Sequence, residues 1–473
     1  MKTSTVGRAD SSVLERPPTP LRRLPVVLAL VFAGLYCLLS LTRFAIFSTP
    51  SWDNAIFEQA IKAYAHFQVP IVDIKGPGYN ILGDHFSPVL VVLAPFYRLF
   101  PHAQTLLIAQ AVLVSASIIP ITRAALRHLG RGAGTAVSIA YCLSFGLQSA
   151  VYTDFHEVAF AAPLIAFAGD AYLRRRWRAV ALWSLPLLLV KEDLGVTIAA
   201  IGVVLIVAGV RRIGLTLTGI RVAGAALVLF VVIPAVNARG SFDYWNNVSL
   251  GAGPNMAETF ATGWDLKTVT LLLTFGITGF LALRSPWVLV AAPTLAWRWV
   301  GTNSTYWGTN FHYSLVAMPI VFIAMVDGIE RIRRSAPTER PLGSQVRRYA
   351  EHVPTLALGL ALVLCLQFPL DNLFKADTYH PGPQAAAERQ LTALIPHGST
   401  VETNMGLITH LVSNYHVYWF LNMGDVVPDY VVIDLHTVNR GSNVLAWAQQ
   451  QHPGVTYRQI FSQAGYIAVE RVS

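Results

Sequence analysis

Apolar runs separated by short polar connections organise almost the whole chain. They lie near residues 24–46, 104–122, 134–150, 158–173, 179–190, 194–210, 221–237, 266–283, 286–300, 313–330 and 354–370. A helix needs about 20 apolar residues to cross roughly 30 Å of hydrocarbon, so the shorter runs imply tilt or ends covered by protein. The run at 86–100 is broken by Pro88 and Pro95 and predicts a juxtamembrane or re-entrant helix. From Asp371 onward, strand-like pieces (Thr400 to Glu402, Tyr430 to Ile433, Tyr466 to Val469) alternate with a helical one (Asn443 to Gln450). The pattern predicts an α-helical polytopic membrane protein with about eleven transmembrane helices. Its parts are a cytoplasmic tail (1–23), a transmembrane domain (24–370) with a first extracytoplasmic loop at 48–103, and a small extracytoplasmic α/β domain (371–473).

Charge follows the same punctuation. Arg8, Arg16, Arg22 and Arg23 precede the first run and place the N-terminus on the cytoplasmic side. Alternation from there puts Arg123, Arg127 and Arg131, then Arg174, Arg175, Arg176 and Arg178, on that side as well. Arg211, Arg212, Arg221, Arg284 and the run from Arg331 through Arg340 to Arg348 join them. The opposite face receives the first loop, Asp154-Phe155-His156-Glu157, Lys191-Glu192-Asp193, the 238–265 loop and Asn303 to His312. Acids and histidines thus gather on one face and arginines on the other. The first run, Leu24 to Phe47, exceeds the apolar core of a signal peptide and reads as an uncleaved span.

Composition narrows the function. Of 473 residues, 54% are hydrophobic and only 13% charged, against about 25% charged in soluble domains. The net charge of +9 comes from the inter-span clusters rather than from a basic surface interleaved with aromatics, so nucleic acid is not an expected partner. Cys37, Cys142 and Cys365 each lie inside an apolar run without metal or disulfide spacing. No Walker A, dinucleotide fingerprint, H-E-x-x-H or G-x-S-x-G is present, which sets aside nucleotide-driven pumps and hydrolases of those types.

The candidate chemistry sits on the acid-rich face. In Ser51 to Gln59, a surface helix gives Asp53 and Phe57 one face, with Glu58 about a turn beyond Asp53. A carboxylate there is suited to deprotonate a hydroxyl or bind a cation, and it is equally suited to cap the helix. Asp84 and His85 lie in a turn framed by Gly83 and Pro88; an ordinary loop pair is the alternative. Asp154, His156 and Glu157 are plausible ligands for a divalent cation such as Mn²⁺ or Mg²⁺, or simply polar residues of a short loop. Lys191, Glu192 and Asp193 interrupt an apolar stretch from Ala179 to Val210, which is costly unless they face a cavity or one another. Arg298, between Trp297 and Trp299, runs against the positive-inside trend and is suited to hold a phosphate bidentately; His312 is a weaker partner for one.

Several of these strings resemble one family. Trp52-Asp53 through Phe57-Glu58-Gln59 is similar to the Y-D-L-G-I-F-D-Q opening of the DUF2079 membrane-protein family, with the acid kept where Tyr-Asp-Leu-Gly becomes Trp-Asp-Asn-Ala. The resemblance continues through Gly83 to Pro88, Asp154 to Glu157, Lys191 to Gly195, His312-Tyr313 and Pro428 to Asp434. That family resembles the C-type glycosyltransferases (GT-C), which take sugars from polyprenyl-phosphate donors and carry an essential acid just after the first span. The resemblance implies a GT-C-like membrane transferase acting on an extracytoplasmic acceptor, with Asp53 as general base and Glu58 positioning it. Lys191, Arg298 and His312 would meet the departing phosphate, while Asp84, His85, His156 and Glu157 would shape the sugar pocket or hold a cation. Membrane lipid, the lipid-linked donor and an envelope glycan, lipid or protein acceptor are the implied partners. A transporter or flippase, and a non-catalytic envelope-assembly protein, are the competing readings; a transporter predicts charges at the bilayer midplane.

Overall fold

The computed structural model describes residues 19–49, 51–237, 240, 256–335, 341–438 and 443–472. Most of the N-terminal tail, most of the 238–265 loop and Arg340 lie outside these residues. Helical segments occupy all eleven apolar stretches, several of them broken into pieces. Among the described residues, four helices combine the length and apolarity to cross a membrane unaided: Arg22–Ala45, Ala103–Leu129, Arg131–Tyr152 and Arg211–Val236. The others are shorter, as with Ala161–Leu173 and Leu194–Val207, or are extended by a 3-10 turn, as where Pro286–Ala291 runs into Ala292–Val300.

The helix Ala317–Arg334 is the central pillar, buried at every position from Ala317 to Val326. Small residues let its neighbours approach. A Cβ at Gly169 would meet Ile323 at 2.7 Å, and one at Gly146 would meet Met318 at 2.6 Å. Basic groups collect at one end of the bundle, where Asp170 binds Arg127 (2.7 Å) and Arg174 (3.5 Å), and Arg331 binds Asp327 (2.7 Å). The acid- and histidine-bearing loops collect at the other end.

Arg221 departs from the expected pattern. Rather than lying in a basic connection, it sits ten positions into the helix that begins at Arg211, about 15 Å along the axis, and is buried. Its Nη2 donates to the carbonyl of Glu192 at 2.9 Å. The helix begins ten residues before the apolar run, because Gly214 packs closely against Gly202, so that Gly214, Leu217 and Arg221 face the bundle while Arg211 and Arg212 stay exposed. At the far end of the same helix, Asn237 donates to the carbonyl of Gly83 at 2.8 Å.

The first loop opens with the helix Trp52–Ala65. Pro88–Leu93 and Ala94–Leu99 then form a short surface arm whose Val91, Val92, Phe96 and Leu99 are exposed, as an interfacial segment requires. The C-terminal domain is a five-stranded sheet with the order β2-β1-β3-β5-β4, built from β1 (Thr400–Thr403), β2 (His416–Trp419), β3 (Tyr430–Asp434), β4 (Tyr457–Gln463) and β5 (Tyr466–Arg471). β1 lies parallel to β2 and β3, whereas β5 is antiparallel to β3 and β4. The helices Pro383–Leu394 and Val444–Gln451 pack against it.

This domain is docked on the first loop by directed bonds. Gln59 donates to the carbonyl of Val417 (2.8 Å), Lys62 to those of Val412 and Ser413 (2.9 and 3.0 Å), and Thr409 to that of Thr49 (2.6 Å). Trp52 meets Trp419 edge-on at 4.3 Å. One hydrophobic core runs from the bundle into the sheet through these contacts.

Candidate active site

Ser51 occupies the N-cap of the helix Trp52–Ala65, its Oγ accepting the Asn54 N–H at 3.1 Å. Asp53 is therefore relieved of capping. Its carboxylate stands in the first turn, 47% exposed, with Oδ2 3.2 Å from His156 Nε2. His156 is buried and held on two further sides: its backbone N–H donates to Gln110 Oε1 (3.2 Å), and its ring Nδ1 lies 3.3 Å from the carbonyl oxygen of Asp154. The His312 ring covers it at a centroid distance of 3.6 Å. Although the side chain keeps one edge to solvent, the protein packed around the Asp53 carboxyl pulls it upward, yet the hydrogen bond and charge of His156, with His85 and Lys191 behind them, bring it down to about 2. Burial also opposes a charge on His156, but the Asp53 bond and charge outweigh it and raise His156 above its ordinary value. His312 goes the other way: burial, then the charges of His156, Lys191, Arg298 and His85, hold it neutral, with its Nδ1 buried and unbonded to protein.

A second layer lies beside this pair. Lys191 binds Glu157 at 2.9 Å, and its charge reaches Asp53. Glu192 accepts the Phe86 N–H at 3.1 Å and faces His85 Nδ1 at 3.6 Å; Asp84 pairs with Lys75. Asp193 begins the helix Leu194–Val207 without capping it, leaving a buried Oδ1 without a protein partner. The motifs at 53, 84–85, 154–157, 191–193 and 312, far apart in sequence, are thus joined in one electrostatic network.

Four expectations change. Glu58 does not sit with Asp53, because five positions along a helix is a rotation of about 140°. It is fully buried on the opposite side, where Oε1 accepts from Tyr97 (2.8 Å) and Ser413 (2.6 Å). Asp154, His156 and Glu157 do not converge as metal ligands. They diverge to Arg43 (3.0 Å), Asp53 and Lys191 respectively, since Asp154 takes a left-handed φ of 65° that turns adjacent side chains apart. No cluster of three or more metal-ligating side chains occurs among the described residues. Arg298, finally, braces the loop that follows it. It donates to the carbonyls of Tyr306 and Gly308, both at 2.7 Å, and to Ser314 Oγ at 3.3 Å, so its guanidinium edge is already occupied by protein. His312, being neutral, offers a hydrogen bond and not the counter-charge expected of it.

The same brace brings in residues not assigned a role from sequence. Tyr306 and Tyr313 lie 5.0 Å apart with Trp297 against both, and both phenols feel the charges of Asp53 and Lys191. Lys75 is the other addition. The only available signals were the Gly76-Pro77-Gly78 turn beside Lys75 and the aromatic density of the 297–313 segment.

The fold is similar to that of ArnT from Cupriavidus metallidurans bound to undecaprenyl phosphate, with a TM-score of 0.56 over 95% of this chain and 98% of that one. The same enzyme in its apo state gives a TM-score of 0.54 over the same shares. Identity is 14% in both cases, so the likeness is one of fold. It agrees with the GT-C resemblance carried by the first-loop motifs. No curated protein sequence matches. Residues 43–469 match the family described as predicted membrane protein (DUF2079).

Proposed function

This chain belongs to the DUF2079 family of predicted membrane proteins, and we propose that it is a membrane glycosyltransferase that moves a sugar from a polyprenyl-phosphate donor to an extracytoplasmic acceptor. The observation that carries the reading is Asp53: a carboxylate freed from capping, half-exposed at the acid-rich end of a GT-C-like bundle, with Lys191 in electrostatic reach. The acceptor hydroxyl attacks the anomeric carbon as Asp53 takes its proton. The new C–O bond forms while the bond to the phosphate oxygen breaks, and the electron pair leaves with the phosphate. Lys191 stabilises the charge that develops there, and neutral His312 donates or accepts a hydrogen bond beside it. The Tyr306–Tyr313 wall offers aromatic faces to a sugar ring.

An apolar groove of about 1010 Å³, lined by Phe44, Phe47, Phe96, Ile108, Val112 and Phe160, supports a lipid-linked donor. It opens along the first-helix edge, and Phe160 stands three residues past Glu157. The test is transfer of radiolabelled sugar from polyprenyl-phosphate donors in membranes carrying wild type or Asp53→Asn, with Mg²⁺, Mn²⁺ or chelator in parallel. General-base loss predicts a fall of about 10²–10⁴-fold at equal abundance. Wild-type membranes that transfer no label from any hexosyl or pentosyl donor would overturn the reading.

A further inference from the structure

Hydrogen-bond bookkeeping around His156 leads past Asp53 as an isolated base. The Asp154 oxygen near His156 Nδ1 is a carbonyl and only accepts, so Nδ1 carries a hydrogen. In a neutral imidazole that leaves Nε2 with a bare lone pair facing the Asp53 carboxylate at 3.2 Å. Two lone pairs at that separation repel, so a proton must lie between them. Resting on the glycosyl-transfer reading above, we propose that Asp53 and His156 form one shared-proton base, in which His156 sets the pH at which Asp53 becomes able to accept the acceptor's proton.

The surroundings favour one proton on the pair and oppose a second. Asp53, from the helix Trp52–Ala65, and Glu157 face His156 with negative charge; the Asp154 carboxyl, raised to about 6 by burial, adds its own once ionised, offset by Arg43 at 3.0 Å. Lys191 neutralises Glu157 and lies near Asp53; His85, from the first loop, is also within reach of Asp53. From the pillar side, His312 stacks on the ring, and its own environment, which includes Arg298 and Lys191, keeps it uncharged. A pair that interacts this closely titrates in two macroscopic steps that belong to neither residue alone. With the shared proton in place, Asp53 is a poor base. Once that proton has left, the pair accepts one from the acceptor hydroxyl and passes it to solvent after the product departs.

The consequence is a sign and a position for the pH profile. Activity rises with pH through the upper step of the pair, which lies above the ordinary imidazole value of about 6.5 because Asp53 stabilises the imidazolium. In His156→Gln the shared proton is gone and Asp53 titrates as a lone carboxylate, raised from its ordinary value of about 4 by burial and held down by His85 and Lys191. The acid limb of kcat/KM should therefore move down by roughly two pH units or more.

The experiment is the kcat/KM–pH profile of the full-length protein in detergent, with a radiolabelled polyprenyl-phosphate sugar that the wild type uses. The expected wild-type midpoint lies above about pH 6.5, and the His156→Gln midpoint below about pH 5. A wild-type midpoint below about pH 5.5 overturns the shared base without any variant being needed. So does a His156→Gln enzyme that is slower at every pH with an unmoved midpoint, which is the mark of a purely structural histidine. An acid limb that disappears with chelator overturns it too, because a cation would then occupy the space between Nε2 and Oδ2. Failure of the glycosyltransferase reading is separate: it shows as no transfer by wild type at any pH.

Discussion

Glu58 makes the docking of the C-terminal domain sensitive to pH. Its carboxyl is fully buried between the loop helix and Ser413; burial pushes it from 4.5 to about 7 against the opposing pull of Ser413, Tyr97 and Lys62. An acid whose folded value is raised stabilises the docked state fully below its unfolded value, and loses that stabilisation as pH rises through the folded one. Between about pH 5.5 and about pH 8.5 the loss is roughly 2 kcal/mol, about a thirtyfold rise in the opening of the domain from the bundle. Hydrogen exchange across residues 408–419, corrected for the intrinsic rate, reads this directly in lipid nanodiscs. Glu58→Gln keeps an oxygen for Tyr97 and Ser413 but cannot ionise, so its protection should be the same at both pH values. Equal protection of the wild type at both pH values would refute the reasoning, as would a Gln variant that keeps the full pH dependence.

Two further outcomes test the network around the site. Lys191→Met strands the buried Glu157 carboxylate and should cost about 3–5 kcal/mol in thermal unfolding, with much of it recovered in Lys191→Met/Glu157→Gln; equal losses in the single and double variants would show that the pair is not coupled. Arg298→Lys replaces a planar fork with one ammonium that cannot reach both carbonyls and Ser314, and should cost about 3 kcal/mol. Protease resistance of the 301–314 segment is the readout, and an unchanged pattern would sink the bracing role.

The helical framework was legible because hydrophobic length is a strong signal, and the motifs grouped by the segregation of acids from arginines share one network, with Arg221 the exception among the arginines. Direction was harder. That Glu58 turns away from Asp53 follows from counting 100° per residue, but the opposite contact with Ser413 depends on a domain 355 positions away. Arg298 looked like an anion holder because its partners are backbone carbonyls, which every residue carries and no sequence advertises. The divergence of Asp154, His156 and Glu157 rests on one left-handed residue that is not glycine. In the C-terminal domain, the central strands β3 and β5 were readable from their apolar runs and β1 from its β-branched residues. β2 and β4, half-exposed at the sheet edges, were not, because edge strands carry too few buried positions to stand out.

The helix Arg211–Val236 has 26 residues, and only 11% of its apolar window is buried in protein. At 1.5 Å per residue it is about 39 Å long, enough to cross the roughly 30 Å of a hydrocarbon core with the Arg211–Arg212 end outside it. Arg221 within it and Asn237 at its C-cap each bond a loop of the site, at the carbonyls of Glu192 and Gly83. A displacement of this helix therefore moves the Glu192 and Gly83 loops together, so one lipid-facing element bears on both sides of the geometry around Asp53.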